Sequence, residues 1–444
     1  MRKRFEYVWQ HFQSLYRVPA GLRVAYGPEA GGQVRIEAYT GDFFDKQDPW
    51  PEEIAWQQWQ GQPLPLLFSS QATAPLLSTE TGSITIHYDI IAAAFYFLSG
   101  WQEYHSSDRD RFGRFPYKKS LQYKLGIITR PVVNYYFDIL KTAIELAAGV
   151  KLFPRFNPGA GCTVCLTHDI DNAGSAWKAE GRAALQKGRL PDFLKLLAAR
   201  IRGRDAWFNW TEIARQVRQA GGVSTFFFLC QHKPYRGIPN ADYSIGKEKY
   251  QSAITSLKSG GSEIAVHGSL EAATSPGLLC QEQARLPGPI GGNRFHYLCF
   301  DPRHTPGLLD AAGLDYDSTL GFAEHFGFRH GYCFPFRLFN FRENKPYRFL
   351  EIPLILMDAT LDHPHYLQLT AAEVLPAIRP VIAEIEKFKG CFTLLWHNEN
   401  FRPYKKNNGP AVFQQIMAYL ASRQAVFLTG AAIQEQFAPA LQGA

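Results

Sequence analysis

From residue 162 onward, short apolar runs of strand type alternate with helical stretches, and no other feature of this 444-residue chain constrains the fold as tightly. The strand-like runs fall at 162–168, 224–230, 263–267, 294–299, 349–357, 391–397 and 425–428, and helical patterns occupy 210–220, 247–259, 306–312 and 371–389 between them. Consecutive parallel strands need a crossover of about a dozen residues or more, and a helix is the usual way to supply it. The alternation therefore predicts an α/β domain built on a parallel sheet, open or closed into a barrel. About seven strands over about 280 residues fit a barrel better than a small doubly wound sheet.

The first 150 or so residues follow no such rhythm. Segments 33–39 and 83–88 alternate apolar and polar side chains, as half-buried strands do. Residues 89–101 read as a buried helix with Asp89 as its N-cap, the polar run 103–114 ends in Phe115-Pro116, and a second helix covers 131–148. The stretch 153–161 is rich in Pro and Gly and marks a boundary. The expected organisation is a smaller mixed α/β domain over 1–152, with no motif that assigns it a role, and a barrel over 160–440.

Composition narrows the function classes. With 46% hydrophobic and 20% charged residues the chain can bury at least one large core. Its net charge of +7 is spread along the chain, which gives no nucleic-acid signature. One locally basic stretch places Lys187, Arg189, Lys195, Arg200, Arg202 and Arg204 around Phe193, Leu194, Leu196, Leu197 and Ile201. That pattern reads either as a solvated helix packed by its apolar stripe or as a peripheral membrane contact. The seven cysteines are odd in number and scattered, unlike a disulfide framework. Cys162 and Cys165 sit three apart on a strand and so face opposite sides, as core residues rather than a metal grip. The start of the chain has no apolar signal region, and the longest apolar run, 90–98, is far short of the ~20 residues that span a bilayer. The expectation is a soluble, cytoplasmic protein with no transmembrane segment.

Several strand-like runs end in ionisable residues, which is where α/β barrels gather their chemistry. In Thr167-His168-Asp169-Ile170-Asp171, alternation puts Thr167, Asp169 and Asp171 on one face and His168 and Ile170 on the other. Two carboxylates on one face repel unless a cation or a proton joins them, so the pair reads as a metal ligand with a general base, or else as a turn. His267 ends another strand and is a candidate metal ligand, with Glu271 one helical turn beyond it. Arg294 and His296 share a strand face in Asn293-Arg294-Phe295-His296-Tyr297, and an arginine there can orient a catalytic carboxylate through a forked pair. His397 closes the apolar strand Thr393-Leu394-Leu395-Trp396 and suits a general acid.

The order of these motifs resembles the polysaccharide deacetylases of the NodB-homology type, carbohydrate esterase family 4. Thr167-His168-Asp169-Ile170-Asp171 is similar to the spaced form of their first motif, Arg294-Phe295-His296-Tyr297 to their Arg-x-Pro-Tyr, Tyr316-Asp317-Ser318-Thr319 to the stretch that follows it, and Leu395-Trp396-His397 to their closing motif. The matches run from Leu166 to Asn398, a little over half the chain. More narrowly, the chain resembles a bacterial subgroup in which a deacetylase-like domain follows an extra N-terminal domain. The resemblance implies an irregular (β/α)7 barrel and a hydrolase that removes an N-acetyl group from a sugar. It implies Asp169 as base, Asp171 and His267 as ligands of a divalent metal, most simply zinc, Arg294 as the support of the base, and His397 as general acid. The family's second motif carries a further histidine where this chain has Glu271. Glu271, His296 or water completes the shell, and His296 is favoured because it adds an imidazole on the face of Arg294.

Tyr297 and Trp396 offer stacking surface for a sugar ring, or serve as wall residues. With no signal region, the expected substrates are an N-acetylated sugar, a nucleotide sugar or a lipid-linked saccharide. Two rival readings remain from the residues: a non-catalytic carbohydrate-binding protein on a degenerate deacetylase fold, and a metal-dependent hydrolase of another small amide.

Overall fold

Residues 163–170 read Thr-Val-Cys-Leu-Thr-His-Asp-Ile, and every one of them is buried. A strand covered on both faces belongs inside a parallel sheet. The computed structural model, which describes residues 2–442 except 30, 71, 81, 157, 158, 160 and 403–406, places it there. This strand, β1 (Thr163–Ile170), is followed by β2 (Thr225–Leu229), β3 (Glu263–Gly268), β4 (Gly292–Phe295), β5 (Tyr316–Asp317), β6 (Leu350–Glu351), β7 (Leu356–Met357), β8 (Cys391–Leu395) and β9 (Val426–Phe427).

Among the described residues the nine strands form one sheet in the order β6-β5-β4-β3-β2-β1-β8-β7, with β9 beside the start of β1. Every pairing is parallel. The two edge strands, β6 and β7, are joined by residues 352–355 alone. In that link the Ile352 N–H donates to the Asp317 carbonyl (2.8 Å) and the Ile355 N–H to the Thr393 carbonyl (3.1 Å), so it touches both sides of the gap. The sheet curls round on itself as an irregular α/β barrel, the fold class that the alternation predicts. Helices Trp210–Gln219, Glu248–Ser259, Thr305–Ala311 and Ala371–Phe388 fall between the strands where the periodicity puts them.

Two expected strands depart most from their apolar runs. The run 349–357 is split into β6 and β7 because Pro353 has no N–H to give a ladder and the chain must cross the barrel gap there. The run 294–299 leaves the sheet after Phe295, since Tyr297 and Leu298 take left-handed backbone angles (φ 59° and 55°) that no strand accommodates. Arg294 and His296 therefore do not share a continuous strand face.

Helix Ile90–Leu98 is buried at every position, and Asp89 caps it as expected, its Oδ1 accepting the Ala92 N–H (2.7 Å). The expected single helix over 89–101 breaks at Gly100 (φ 70°), and a second helix, Trp101–His105, starts there. Helix Val132–Ala148 stops at Gly149, again left-handed. Strands Val24–Tyr26, Val34–Ile36, Ser83–Ile86 and Leu77–Glu80 lie side by side in that order.

The regions read as 1–152 and 160–440 share one apolar cluster: Phe339 meets Tyr7 and Phe95 edge-on at ring-centre separations of 5.1 and 5.0 Å. A buried ion pair reinforces the contact, with Arg329 donating to Glu103 from Nε (2.8 Å) and Nη2 (2.5 Å). Of the Pro- and Gly-rich stretch between them, residues 157, 158 and 160 lie outside the described residues.

Cys162 and Cys165 are buried free thiols, and burial pushes Cys162 up to about 12. The basic stretch near residue 190 forms helix Leu190–Ile201, which buries none of its residues and leaves Leu190, Leu194 and Ile201 exposed. Among the described residues no helix is long and apolar enough to cross a membrane.

Candidate functional site

The C-terminal ends of β1, β3, β4 and β8 deliver their ionisable residues into one cavity of about 870 Å³. Asp169 points off β1 into the barrel, on the same side as Thr167, as strand alternation requires. His168, one residue away, points into the core instead. Its Nδ1–H donates to the Trp396 carbonyl (2.8 Å), and burial lowers the imidazole to about 4.

Arg294 is buried under the site. Its Nη1 donates to Asp169 Oδ1 (2.9 Å) and to Thr167 Oγ1 (2.8 Å), Nε to the Ser318 carbonyl (2.8 Å), and Nη2 to Ser318 Oγ (2.9 Å). The forked pair expected between Arg294 and Asp169 is thus a single N–H contact. The rest of the guanidinium is taken by Thr167 and Ser318, because β5 lies beside β4 and brings Ser318 close. Fixing the arginine on Thr167 and Ser318 locks the direction of the one bond it makes to Asp169.

Asp171, His267 and His296 each present a ligand atom within 4.8 Å of the others, a grouping that can hold a metal ion. His267 Nε2 lies 3.3 Å from Asp171 Oδ1 and 3.7 Å from Asp169 Oδ2, and His296 Nε2 lies 3.7 Å from Asp171 Oδ2. The His267 Nδ1–H donates to the Arg294 carbonyl (2.8 Å). That bond holds the ring with Nε2 toward the carboxylates, the atom a metal ion would bind in place of a proton. Asp171 Oδ1 is buried without a hydrogen-bond partner, a cost that a cation would remove. The donor set, two imidazoles and a carboxylate, suits a divalent ion such as zinc.

Charge shapes the site further. Burial would raise the Asp171 carboxyl, but His296, His267 and His397 outweigh it and hold the group well below the usual carboxylate range. Burial lowers His296 to about 4 against the pull of Asp171, so this imidazole is neutral and its lone pair free near pH 7. For His267 burial acts downward, and Asp169 and Asp171 more than offset it.

His397 extends from the end of β8, with Nε2 3.8 Å from Asp171 Oδ2. Its Nδ1–H donates to Asp358 Oδ1 (2.7 Å), while the His397 backbone N–H and Asn400 Nδ2 both donate to Asp358 Oδ2 (2.7 Å each). Burial disfavours the imidazolium, yet the buried Asp358 carboxylate, with Asp171 and Asp169, raises His397 to about 10. In the sequence Asp358 stands apart from the strand-end motifs. Its only signal was an acid directly after the apolar end of a strand, where a helix cap explains it equally well.

Other expected residues fall elsewhere. Glu271 stands at the head of the short turn Ala272–Thr274, lines no part of the cavity and is absent from the ligand cluster. Trp396 is fully buried and packs against Phe413 at 5.4 Å, since alternation turns it away from the His397 side; it offers no surface to a sugar. Tyr297 does line the cavity, stacked on His296 at 4.0 Å and on Phe112 at 4.6 Å. Phe112 belongs to the polar run 103–114. That run supplies Asp110, Arg111, Phe112 and Arg114 to the cavity, followed by Lys118.

Residues 4–148 match the family described as "Family of unknown function (DUF7033)". Among solved structures, the chain is similar to a protein assigned as a polysaccharide deacetylase from Mycobacterium smegmatis, at 18% identity and a TM-score of 0.41, over 65% of this chain and 92% of the other. It is also similar to Puue Allantoinase, at 14% identity and a TM-score of 0.40, over 64% of this chain and 92% of that one. Both likenesses are distant. The curated proteins contain no match.

Proposed function

We propose that the protein is a metal-dependent hydrolase that removes the N-acetyl group from an amino sugar. The observation that carries this reading is the convergence, at the ends of parallel strands, of a metal-capable trio with a supported carboxylate and a carboxylate-backed histidine. Amide hydrolysis needs those three functions: an electrophilic activator, a base for water and an acid for the leaving nitrogen.

In this reading Asp171, His267 and His296 hold the ion, which when bound supplies Lewis acidity toward the amide carbonyl. Asp169, fixed by Arg294, accepts the proton of the attacking water. His397 stays protonated through the neutral range and hands its proton to the departing amine, giving acetate and a free amino sugar. Asp358 orients His397 and favours its charged form. Tyr297 gives one wall of the sugar site, and the cavity of about 870 Å³ has room for a saccharide.

The direct test is acetate release from a panel of N-acetylated sugars and small amides, with protein as purified, stripped by a chelator and reloaded with zinc. Release that depends on metal and favours sugars supports the reading; no release from any sugar with the metal bound overturns it. A finer prediction concerns Asp358. Asp358→Asn keeps the shape of the partner but removes its charge, and should lower kcat by about 10- to 100-fold with metal content unchanged. An unaltered kcat would sever Asp358 from the reaction.

A further inference from the structure

The mouth of the cavity is walled by a turn from the N-terminal region that the mechanism above leaves unused. Asp110 Oδ1 accepts the backbone N–H groups of Phe112 (2.8 Å) and Arg114 (2.9 Å), which pins the turn. Arg114 closes it by donating from Nε to Asp110 Oδ2 (2.7 Å) and from Nη1 to the Tyr297 carbonyl (3.1 Å). The second bond ties the turn to the segment that carries His296. Phe112 then extends the ring stack that begins at His296 and passes through Tyr297, and the Arg111 guanidinium lies over Phe112 at 4.6 Å.

That arrangement leaves positive charge facing the cavity. Arg114 is neutralised by Asp110, whereas neither Arg111 nor Lys118 has an acidic partner among the described residues. Both are exposed and line the cavity, as do His363 and His365 on the segment that follows Asp358. Apart from Asp169 and Asp171, the lining acids are Asp110, already paired, and Glu324, whose Oε1 accepts the Tyr117 N–H (3.3 Å). Two unpaired cations and two imidazoles thus line the same cavity as a side-chain cluster able to hold a metal ion. A guanidinium resting over a ring can offer a forked contact to an oxyanion, and a lysine lining the same cavity adds a point charge. A phosphoryl group, with its doubled charge and three acceptor oxygens, matches that set better than a single carboxylate.

We propose that Arg111 and Lys118, with His363 and His365, form an anion subsite, and that the substrate is an N-acetylated sugar bearing a phosphate or diphosphate. The identity of the sugar rests on the deacetylase reading; the anion subsite does not. The phosphoryl group can come from a nucleotide sugar or from a lipid-linked saccharide, which present the same chemistry at this position.

The test uses the full-length protein and the Arg111→Ala/Lys118→Ala double variant, both checked for folding by thermal melting. Acetate release is measured on free N-acetylglucosamine, on UDP-N-acetylglucosamine and on a short-chain polyprenyl diphosphate N-acetylglucosamine, and inorganic pyrophosphate binding is followed by calorimetry. The native protein should prefer at least one phosphorylated substrate by tenfold or more in kcat/KM, and whichever is preferred identifies the source. In the double variant that preference should shrink at least tenfold, mainly through KM, and pyrophosphate should bind at least tenfold more weakly. If acetate is released but neutral sugar is preferred, or the double variant leaves both the preference and pyrophosphate affinity unmoved, Arg111 and Lys118 are solvated surface and the inference fails. If no substrate releases acetate while pyrophosphate binding still depends on the two cations, the deacetylase reading fails and the anion subsite stands.

Discussion

Replacement of Asp169 by Asn should lower kcat for acetate release by about 10²- to 10⁴-fold while leaving the metal in place, and His267→Ala should empty the metal site altogether. The two variants separate functions that sit only 3.7 Å apart, between Asp169 Oδ2 and His267 Nε2. An Asn at 169 keeps the size of the side chain and an oxygen for the Arg294 Nη1–H to donate to, so the local packing holds. What it loses is the capacity to accept a proton from water. Asp171, His267 and His296 are untouched, and metal content measured on the purified variant should equal that of the native protein. At His267, by contrast, the truncation removes a donor from a three-residue cluster. Metal content and turnover should fall together, and zinc in excess should restore little of either. Wild-type turnover by Asp169→Asn would reassign the base, and full metal content in His267→Ala would reassign the ligand.

Glu103→Ala should cost about 3–5 kcal/mol of stability, the range seen when one partner of a buried ion pair is removed and the other stays behind uncompensated. Glu103 and Arg329 are almost fully buried where the N-terminal region meets the barrel, and the contact is forked. A loss of that size is a large share of the net stability of most domains, about 5–15 kcal/mol, so urea unfolding should shift far to lower concentration. The pair also predicts a pH dependence. Burial alone would raise the Glu103 carboxyl, but Arg329 outweighs it and leaves the group below its usual range. A carboxyl depressed in the folded state contributes stability in full above its unfolded pKa, about 4.3, and loses it as pH falls through the folded value. The native protein's advantage over Glu103→Gln should therefore be constant from pH 7 to about pH 5 and shrink at lower pH. An advantage that stayed flat down to pH 3 would mean that the pair is held by packing rather than by charge.

Much of the site follows from local periodicity. A strand projects alternate residues to opposite faces, so Thr167 and Asp169 had to share one face with His168 on the other, whatever the rest of the chain did. The same rule puts His267 and His397 at the ends of apolar strands, and strands separated by helices must run parallel. The class of the fold and most of the ionisable residues of the cavity were legible from these patterns alone.

The remainder depends on contacts between segments far apart in sequence, for which no period exists. Whether His296 or Glu271 stands beside Asp171 turns on how two strands end: His296 directly follows the last residue of β4 and joins the ligand cluster, whereas Glu271 lies beyond β3 at the head of the turn Ala272–Thr274. The single bond from Arg294 to Asp169 reflects competition from Ser318, which only the adjacency of β4 and β5 brings near. Asp358 reaches His397 because β7 pairs with β8, although 39 residues separate the two side chains in sequence. The turn holding Arg111 enters the cavity because the N-terminal region is bonded to the barrel through Arg114 and Tyr297, residues 183 apart in the chain. Amino-acid pattern determined the fold class and which side chains point inward along each strand. Strand order, the closing link across the barrel and the packing of the first 150 residues decided which of those side chains meet, because distances between strands are set by hydrogen-bond pairing and core packing rather than by position along the chain.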